Sequence, residues 1–547
     1  GQKFPIPIGF ARDVTVLANS FSAEFGRSAT GVVNVSSRAG GNDLESEIYT
    51  LVRPGQPLDS SSAYAQRDLS GNFVSDSFER LQAGGTIGGP IVRDRTFFLA
   101  NVEYTRDTND TVLDAPAVGA VEPLEGHNRF LLTSARLDHR FDDRWTGTLR
   151  GNLGRVTIER PGGSLGGGSV QFPSAGSEQD RDSMLVASTL RYAGDLWSYR
   201  GSLQWSSFHW DYGEARQAGP QVVARDPSGV PVAIVGHPGF VFDDRERTIQ
   251  TQHKAELDLG AHRLAYGADY LAADFDLEGG GNPDGNFVVD LTDAQLAALR
   301  SRDLGAGLGA DDILGLDPAV SSYGVELRPQ SFGRTQRLAA FYVEDEWHLG
   351  PRLTFTAGLR WDYDSLTGEG SGDDDLDNFA PRLSVNFRPD ERNVLRFGAG
   401  VFYDKLTYAV ISDALQRNTT SAAFRSQLGE LIALGLLPPD TDLDRVTFDG
   451  NLTVNPACAT VAACPPAAAV QALRDTAVIN EARILNPNGY ESPYAAQFSL
   501  GWQRHIDANW SGAIDLLYNR THHLVRLRDL NSPASFIPDA AALTDSV

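Results

Sequence analysis

The sequence predicts an all-β fold, a transmembrane antiparallel β-barrel wall of about fifteen strands. Three observations predict it. Connections alternate between very short and long. The segments between them alternate apolar and polar residues. Tryptophans gather beside the short connections.

Short connections fall at 88–95, 142–144, 193–195, 259–262, 350–351, 388–392 and 507–509. Long ones fall near 55–78, 108–127, 161–181, 214–247, 280–333, 367–378 and 407–492, those at 280–333 and 407–492 being the largest. A soluble β-sandwich has no reason to keep such an alternation. An outer-membrane barrel does, with tight periplasmic turns and long external loops.

Segment 352–364 shows the strand pattern. One face reads Leu353, Phe355, Ala357, Leu359, Trp361 and Tyr363; the other reads Thr354, Thr356, Gly358, Arg360, Asp362 and Asp364. A barrel wall needs this split, apolar towards lipid and polar towards a wet lumen. Trp145, Leu149 and Leu153 alternate likewise with Thr146, Thr148, Arg150 and Asn152. In 492–505, Ala496, Phe498, Leu500 and Trp502 oppose Gln497, Ser499 and Gln503. The inward residues Arg150, Arg360, Asp362 and Arg396 are candidates for lining a substrate path; the alternative is that they solvate the lumen.

The tryptophans add a separate argument. Trp145, Trp197 and Trp510 directly follow short turns, Trp347 precedes one and Trp502 is close to another. Together they predict a membrane-interface girdle on the periplasmic side. Trp210 and Trp361 fall towards the external ends, and Trp205 lies mid-strand without a place in this scheme. Helix-forming composition is confined to loops, at 290–300, 422–436 and 467–477.

Composition narrows the function classes. The net charge of -24 argues against a nucleic-acid surface. No apolar stretch reaches the length of a membrane helix. The mean hydropathy of -0.26 suits a barrel, half of whose strand residues face water. Acidic clusters at Asp373, Asp374, Asp375 and Asp377, and at Asp311 and Asp312, read as solubilising loop charge, with divalent-ion binding as the sharper alternative. The two cysteines, Cys458 and Cys464, share one long loop. An oxidising compartment would let them form a local disulfide. Neither belongs to a ligand-spaced set, so no metal site is assigned. Residues 1–10 lack the basic region and apolar core of a signal peptide.

No catalytic residue can be nominated. Gly162, Ser164 and Gly166 match the nucleophile-elbow spacing, but they follow Arg160 and Pro161 within a glycine-rich run, where a strand-to-helix turn is not expected. His522 and His523 read as an exposed strand-end pair rather than metal ligands. Metalloprotease, phosphate-loop and zinc patterns are missing. No cofactor is expected.

The amino-terminal stretch carries a family resemblance. It runs Arg12 to Leu17, then Phe21, Ser22, Ala23, Glu24, Phe25, Gly26, Arg27 and Ser28, then Gly31 to Arg38. This resembles the end of the plug of a TonB-dependent outer-membrane receptor, most closely the Oar-like branch with its carboxypeptidase-regulatory-like domain. Val14, Val16, Val32, Val33 and Val35 suit buried strands of a small domain. Where many siderophore receptors carry Arg-Gly-Pro, this chain has Leu17, Ala18, Asn19 and Ser20, so no siderophore function is carried over. Ile87 to Phe98 is similar to the family's first periplasmic hairpin. Phe341 to Trp347 with Leu353 to Tyr363 is similar to a mid-barrel hairpin. Ala380 to Leu383 with Leu395 to Asp404, and Tyr494 to Tyr518, resemble later ones.

The resemblance implies residues 1–42 as the C-terminal end of a plug domain and 43–547 as a partial barrel. Family barrels have about twenty-two strands, so truncation at both ends is expected. The signal, the TonB box, the regulatory-like domain and about seven strands would lie outside the chain. Arg27 is the candidate plug-to-barrel contact. The implied function is energised uptake of an extracellular substrate across the Gram-negative outer membrane, with TonB and its inner-membrane energising complex as partners. Oligosaccharide, peptide and metal chelate all stay open as substrate. The alternatives are a passive porin, a surface adhesion barrel without TonB coupling, or a soluble multi-domain glycan-binding or hydrolytic β-protein.

Overall fold

The computed structural model of the chain describes residues 4–17, 22–27, 31–55, 58, 78–162, 169–215, 219–327, 332–369, 373–409, 411, 422–435, 439–441, 452–473, 485–486 and 488–526. The nucleophile-elbow spacing, the stretch Ala18 to Ser20, Ser28 and residues 532–547 lie wholly or mainly outside these, as do parts of 407–492.

Strands β1 (Ala11–Leu17) and β2 (Val32–Ser37) pair antiparallel as a small separate sheet. The wall then begins with β3 (Glu45–Arg53), β4 (Phe78–Val92), β5 (Thr96–Ala115), β6 (Ala120–Arg140), β7 (Trp145–Arg160), β8 (Ser177–Ala193) and β9 (Trp197–Ala215). After β9 the chain leaves the wall for β10 (Gln221–Arg225) and β11 (Pro231–Gly236). It returns through β12 (Phe240–Asp258) and β13 (His262–Gly281), then departs again for β14 (Asn286–Asp290) and β15 (Ala319–Leu327). The wall continues with β16 (Phe332–His348), β17 (Leu353–Asp364), β18 (Phe379–Phe387) and β19 (Asn393–Tyr403). After β20 (Leu452–Val454), it ends with β21 (Tyr494–His505) and β22 (Ser511–His522). The result is one 15-stranded sheet in which every wall strand pairs antiparallel with its neighbour.

Alternation decides the two faces. On β17, Leu359 is 43% exposed while Arg360 next to it is 1% exposed. Register carries this phase around the wall. Leu359 pairs with Val343, and Trp361 with Phe341, all on the outward face. Arg360 pairs with Tyr342 and, across the other edge, with Ala380, all buried on the inward face. Outward leucines and aromatics stay open because their solvent is lipid.

Three of the short turns share one chemistry. The carboxylate of Asp142 accepts hydrogen bonds from the backbone N–H groups of Arg144 (2.8 Å) and Trp145 (2.7 Å). Asp390 does the same for Arg392 and Asn393, and Asp507 for Asn509 and Trp510. An aspartate that closes its own turn needs no long loop. These backbone hydrogen bonds also hold the Asp142 carboxyl below the usual carboxylate range.

The apolar core lies outside the barrel. Strands β11, β10, β14, β15 and β20 form a five-stranded sheet in that order, built from three different long connections. Val222, Val235, Phe287, Val289 and Val325 bury its inner face. Helices α1 (Asp293–Arg302) and α2 (Ala310–Leu314) add Leu299 and Ile313. Helices α3 (Ala422–Ala433) and α4 (Ala467–Gln471) supply Leu428 and Val470. Helix α1 starts on a capping box, Thr292 accepting from the Gln295 backbone N–H at 3.3 Å. Cys458 and Cys464 are joined by a disulfide beside this core.

Two expectations need correction. The stretch 108–127, read as a long loop, is a strand hairpin: β5 and β6 stay paired up to Ala115 and Ala120. Its residues Val112, Leu113, Val118 and Leu124 are buried, so cap packing holds extended a segment whose charges read as loop. Val14, Val16 and Val33, expected to be buried, are each more than 60% exposed. Among the described residues nothing packs over that face of the β1–β2 pair.

The facing predicts a labelling pattern. A fluorophore on Leu359→Cys should be quenched by nitroxide-bearing lipids, and one on Thr356→Cys should not. Equal quenching at both positions would contradict the assignment of faces.

Candidate functional site

The inward face meets the amino-terminal segment at a buried charge network centred on Arg360. Strand β17 presents Arg360 and Asp362 two residues apart, so both point into the lumen. The Arg360 Nε donates to both carboxylate oxygens of Asp362, at 2.9 and 3.1 Å. Its Nη2 donates to Asp269 on β13 at 3.0 Å. Its Nη1 donates to the backbone carbonyls of Ala23 (3.3 Å) and Glu24 (3.1 Å). All three guanidinium nitrogens are thus engaged. A carboxylate pair neutralises the charge, and the remaining donors hold the backbone of the amino-terminal segment.

Neighbouring strands hold the same few residues. Glu344 on β16 accepts from the Ala23 backbone N–H at 2.5 Å and from the Ser22 hydroxyl at 3.1 Å. Lys254 on β12 pairs with Glu24 at 2.5 Å and with Glu256 at 2.9 Å. Gly26 packs so closely on Arg360 that a Cβ there would overlap the guanidinium, and one at Gly358 would come within 2.9 Å of Ala23. Glycine is the only residue that lets these chains approach. Arg382, 3% exposed, places its guanidinium 3.5 Å from the centre of the Phe402 ring and reaches the Ser22 carbonyl at 3.5 Å.

A second set of contacts grips the other end of the segment. Glu103 on β5 accepts from the Ile8 backbone N–H at 3.0 Å and from the Tyr49 hydroxyl. Arg136 on β6 donates to the Ser37 carbonyl at 3.0 Å. Arg38 pairs with Glu47 at 2.7 Å.

The chain matches the family model described as outer membrane beta barrel domain over residues 36–127, 122–373 and 366–546. The chain belongs to this outer-membrane β-barrel family. It is therefore a protein of the Gram-negative outer membrane, crossing with strands. Its sequence is 23% identical over 471 residues to the TonB-dependent transporter Oar of Myxococcus xanthus, covering 70% of this chain and 43% of that protein. Its fold is similar to that of the outer membrane transporter YddB of Escherichia coli, with a TM-score of 0.61 and 12% identity. That match covers 95% of this chain and 57% of YddB. It is also similar to the siderophore receptor PirA of Acinetobacter baumannii, with a TM-score of 0.53 and 13% identity, covering 94% and 58% of the two chains. The chain thus spans about half the length of these relatives.

Within this outer-membrane barrel, Arg360 and Asp362 come together against the amino-terminal segment. Arg150 and Arg396 face inward elsewhere, with Arg396 reaching Asp515 at 3.6 Å and Gln503 at 3.4 Å. Arg27 makes no ion pair among the described residues, and Asp269 and Asp362 pair with Arg360 instead. Burial pulls the Arg27 guanidinium below its ordinary pKa, opposed by the charge of Asp269. Trp145, Trp197, Trp347 and Trp502 sit on the outward face beside the short turns, and Trp510 is exposed next to β22. Tyr192 bridges Trp145 and Trp197, with ring centres 4.9 and 4.3 Å away. Trp210 points inward, under the guanidinium of Arg181. His522 stacks on Tyr494 and His523 pairs with Glu491. Asp374 accepts from the Tyr363 hydroxyl and Asp375 from the Ser492 N–H, so that acidic cluster ties loops to the wall. Among the described residues no group of three ligating side chains could hold a metal.

Sequence reading missed Glu24, Lys254, Asp269 and Glu344. Strand phase could have placed the last three inward, since Ile249 on β12, Tyr270 on β13 and Val343 on β16 fix the outward positions of their strands. It could not pair Lys254 with Glu24, 230 positions away.

Removing one partner from a buried ion pair costs about 3–5 kcal/mol. Arg360→Leu is therefore expected to speed amide hydrogen exchange at residues 22–26 by roughly 100-fold or more. Unchanged exchange there would mean that other contacts hold the segment.

Proposed function

We propose that this chain is the plug-end and barrel part of a TonB-dependent outer-membrane transporter. Residues 1–42 are the end of the plug and residues 43–547 are barrel with its external loops. The observation that carries this reading is the network in which Arg360, Glu344 and Lys254, from three different strands, hold the backbone and side chains of residues 22–24. A barrel without a gate has no use for a buried ion network between its wall and a short inner segment. Such a contact is strong enough to keep the lumen filled, and it can be broken by a pull along the segment. Gating then amounts to shifting a two-state equilibrium of the plug.

The likeness to a TonB-dependent transporter supports TonB as the source of that pull. TonB would engage a box at the amino-terminal side of the plug and draw on the inner-membrane proton gradient. The cap of folded loops stands at the outer mouth, where an extracellular substrate arrives first. The work is binding and displacement, with no covalent step.

Two measurements test the proposal in the full-length protein. Deleting the plug through residue 42 should open the lumen and make cells several-fold more sensitive to vancomycin, which is too large for ordinary porins. The isolated periplasmic domain of TonB should be retained by the immobilised intact receptor. A passive porin or an adhesion barrel predicts no TonB retention and no new drug sensitivity.

A further inference from the structure

The wall carries a second, different set of inward charges nearer its periplasmic rim. Register places Arg136 on β6 directly opposite Arg150 on β7. It places Arg191 on β8 opposite Arg200 on β9, and Arg200 in turn opposite Lys254 on β12. Five cations therefore share the inward face of five consecutive wall strands. Like charges placed directly opposite on one face of a sheet are destabilising. Here the arrangement occurs on three neighbouring strand pairs, in a chain whose net charge is -24.

Local counter-charge covers only part of it. Arg136 is paired with Asp138, at 2.7 and 2.9 Å, and Lys254 with Glu24 and Glu256. Arg150, Arg191 and Arg200 have no ion-pair partner among the described residues. Arg191 lies two residues before the end of β8, and Arg200 three residues after Trp197 opens β9. Both are within about 10 Å of the periplasmic rim along the strand. This set shares only Lys254 with the Arg360 network, and Arg150, Arg191 and Arg200 belong to neither of its ion pairs.

We propose that Arg150, Arg191 and Arg200 form an anion-binding strip on the exit half of the lumen, taking a phosphoryl or carboxylate group of the cargo as it leaves towards the periplasm. Guanidinium suits this task. It stays charged, and its fork of N–H groups matches the oxygens of phosphate and carboxylate. A strip spread over adjacent strands lets one anionic group pass from donor to donor, which a single deep site would not. The inference rests on the reading of this wall as a transport path.

The test uses purified full-length receptor in detergent, without TonB. Inorganic pyrophosphate and citrate are titrated separately by calorimetry, the two arms separating phosphoryl from carboxylate recognition. At least one should bind, more weakly as salt rises. The variant Arg150→Gln/Arg191→Gln/Arg200→Gln should lose about tenfold or more in affinity, whereas Arg155→Gln, on the outward face of β7, should not. Without anion, the triple variant should melt no lower than the parent, since it relieves repulsion. Failure of both anions to bind the parent, equal binding by the triple variant, or a lowered melting temperature would each overturn the proposal. The last would show the arginines already neutralised within the protein. Because TonB plays no part, an anion result stands or falls independently of the energised-transport reading.

Discussion

A backbone amide left unpaired in hydrocarbon costs about 2–7 kcal/mol, and the rest of this molecule follows from that penalty. It forces the membrane-crossing residues into one antiparallel ladder, where each strand satisfies the next. The ladder in turn fixes the side-chain period at two. Once Leu359 faces lipid, Arg360 must face inward, and register passes that choice to every strand of the sheet. Facing is thus a collective property of the wall.

The inward face is where charge can survive, and the chain uses it in two ways. The Arg360 guanidinium is matched by two carboxylates, desolvated and closed around backbone carbonyls, which makes a specific hold on residues 22–24. Towards the rim they are only partly matched and more open. A buried ion network is weak evidence of stability, since an apolar replacement of the same shape often does as well. Its position between wall and inner segment is what gives it functional meaning. The two sets touch at Lys254, which pairs with Glu24 and lies opposite Arg200.

Apolar packing is displaced to the outer mouth. The buried valines, leucines and isoleucines gather in the cap, away from the charged inward face of the wall. Three long connections, the tip of the β5–β6 hairpin and the 169–176 segment share that core. Loops that pack on one another present a fixed surface to the outside, at a lower entropic cost to binding than separate flexible loops. The disulfide of Cys458 and Cys464 closes a turn beside the same core.

Local sequence determined most of the wall strands, their phase, the turn rim and the residues that face inward, because each depends on neighbours one to three positions away. The alternation at 352–364 and the aspartates at 142, 390 and 507 are complete signals in themselves. The amino-terminal motif was legible by resemblance, but its partners were not. Glu24 meets Lys254, and Arg360 meets Ala23, across separations of hundreds of residues that only register around the wall can set. The same holds for the cap, where 108–127 reads as loop until Phe172 and Val235 supply the other side of its core. Contacts between distant strands depend on how the whole sheet curls, and that geometry is decided by the ladder as a unit.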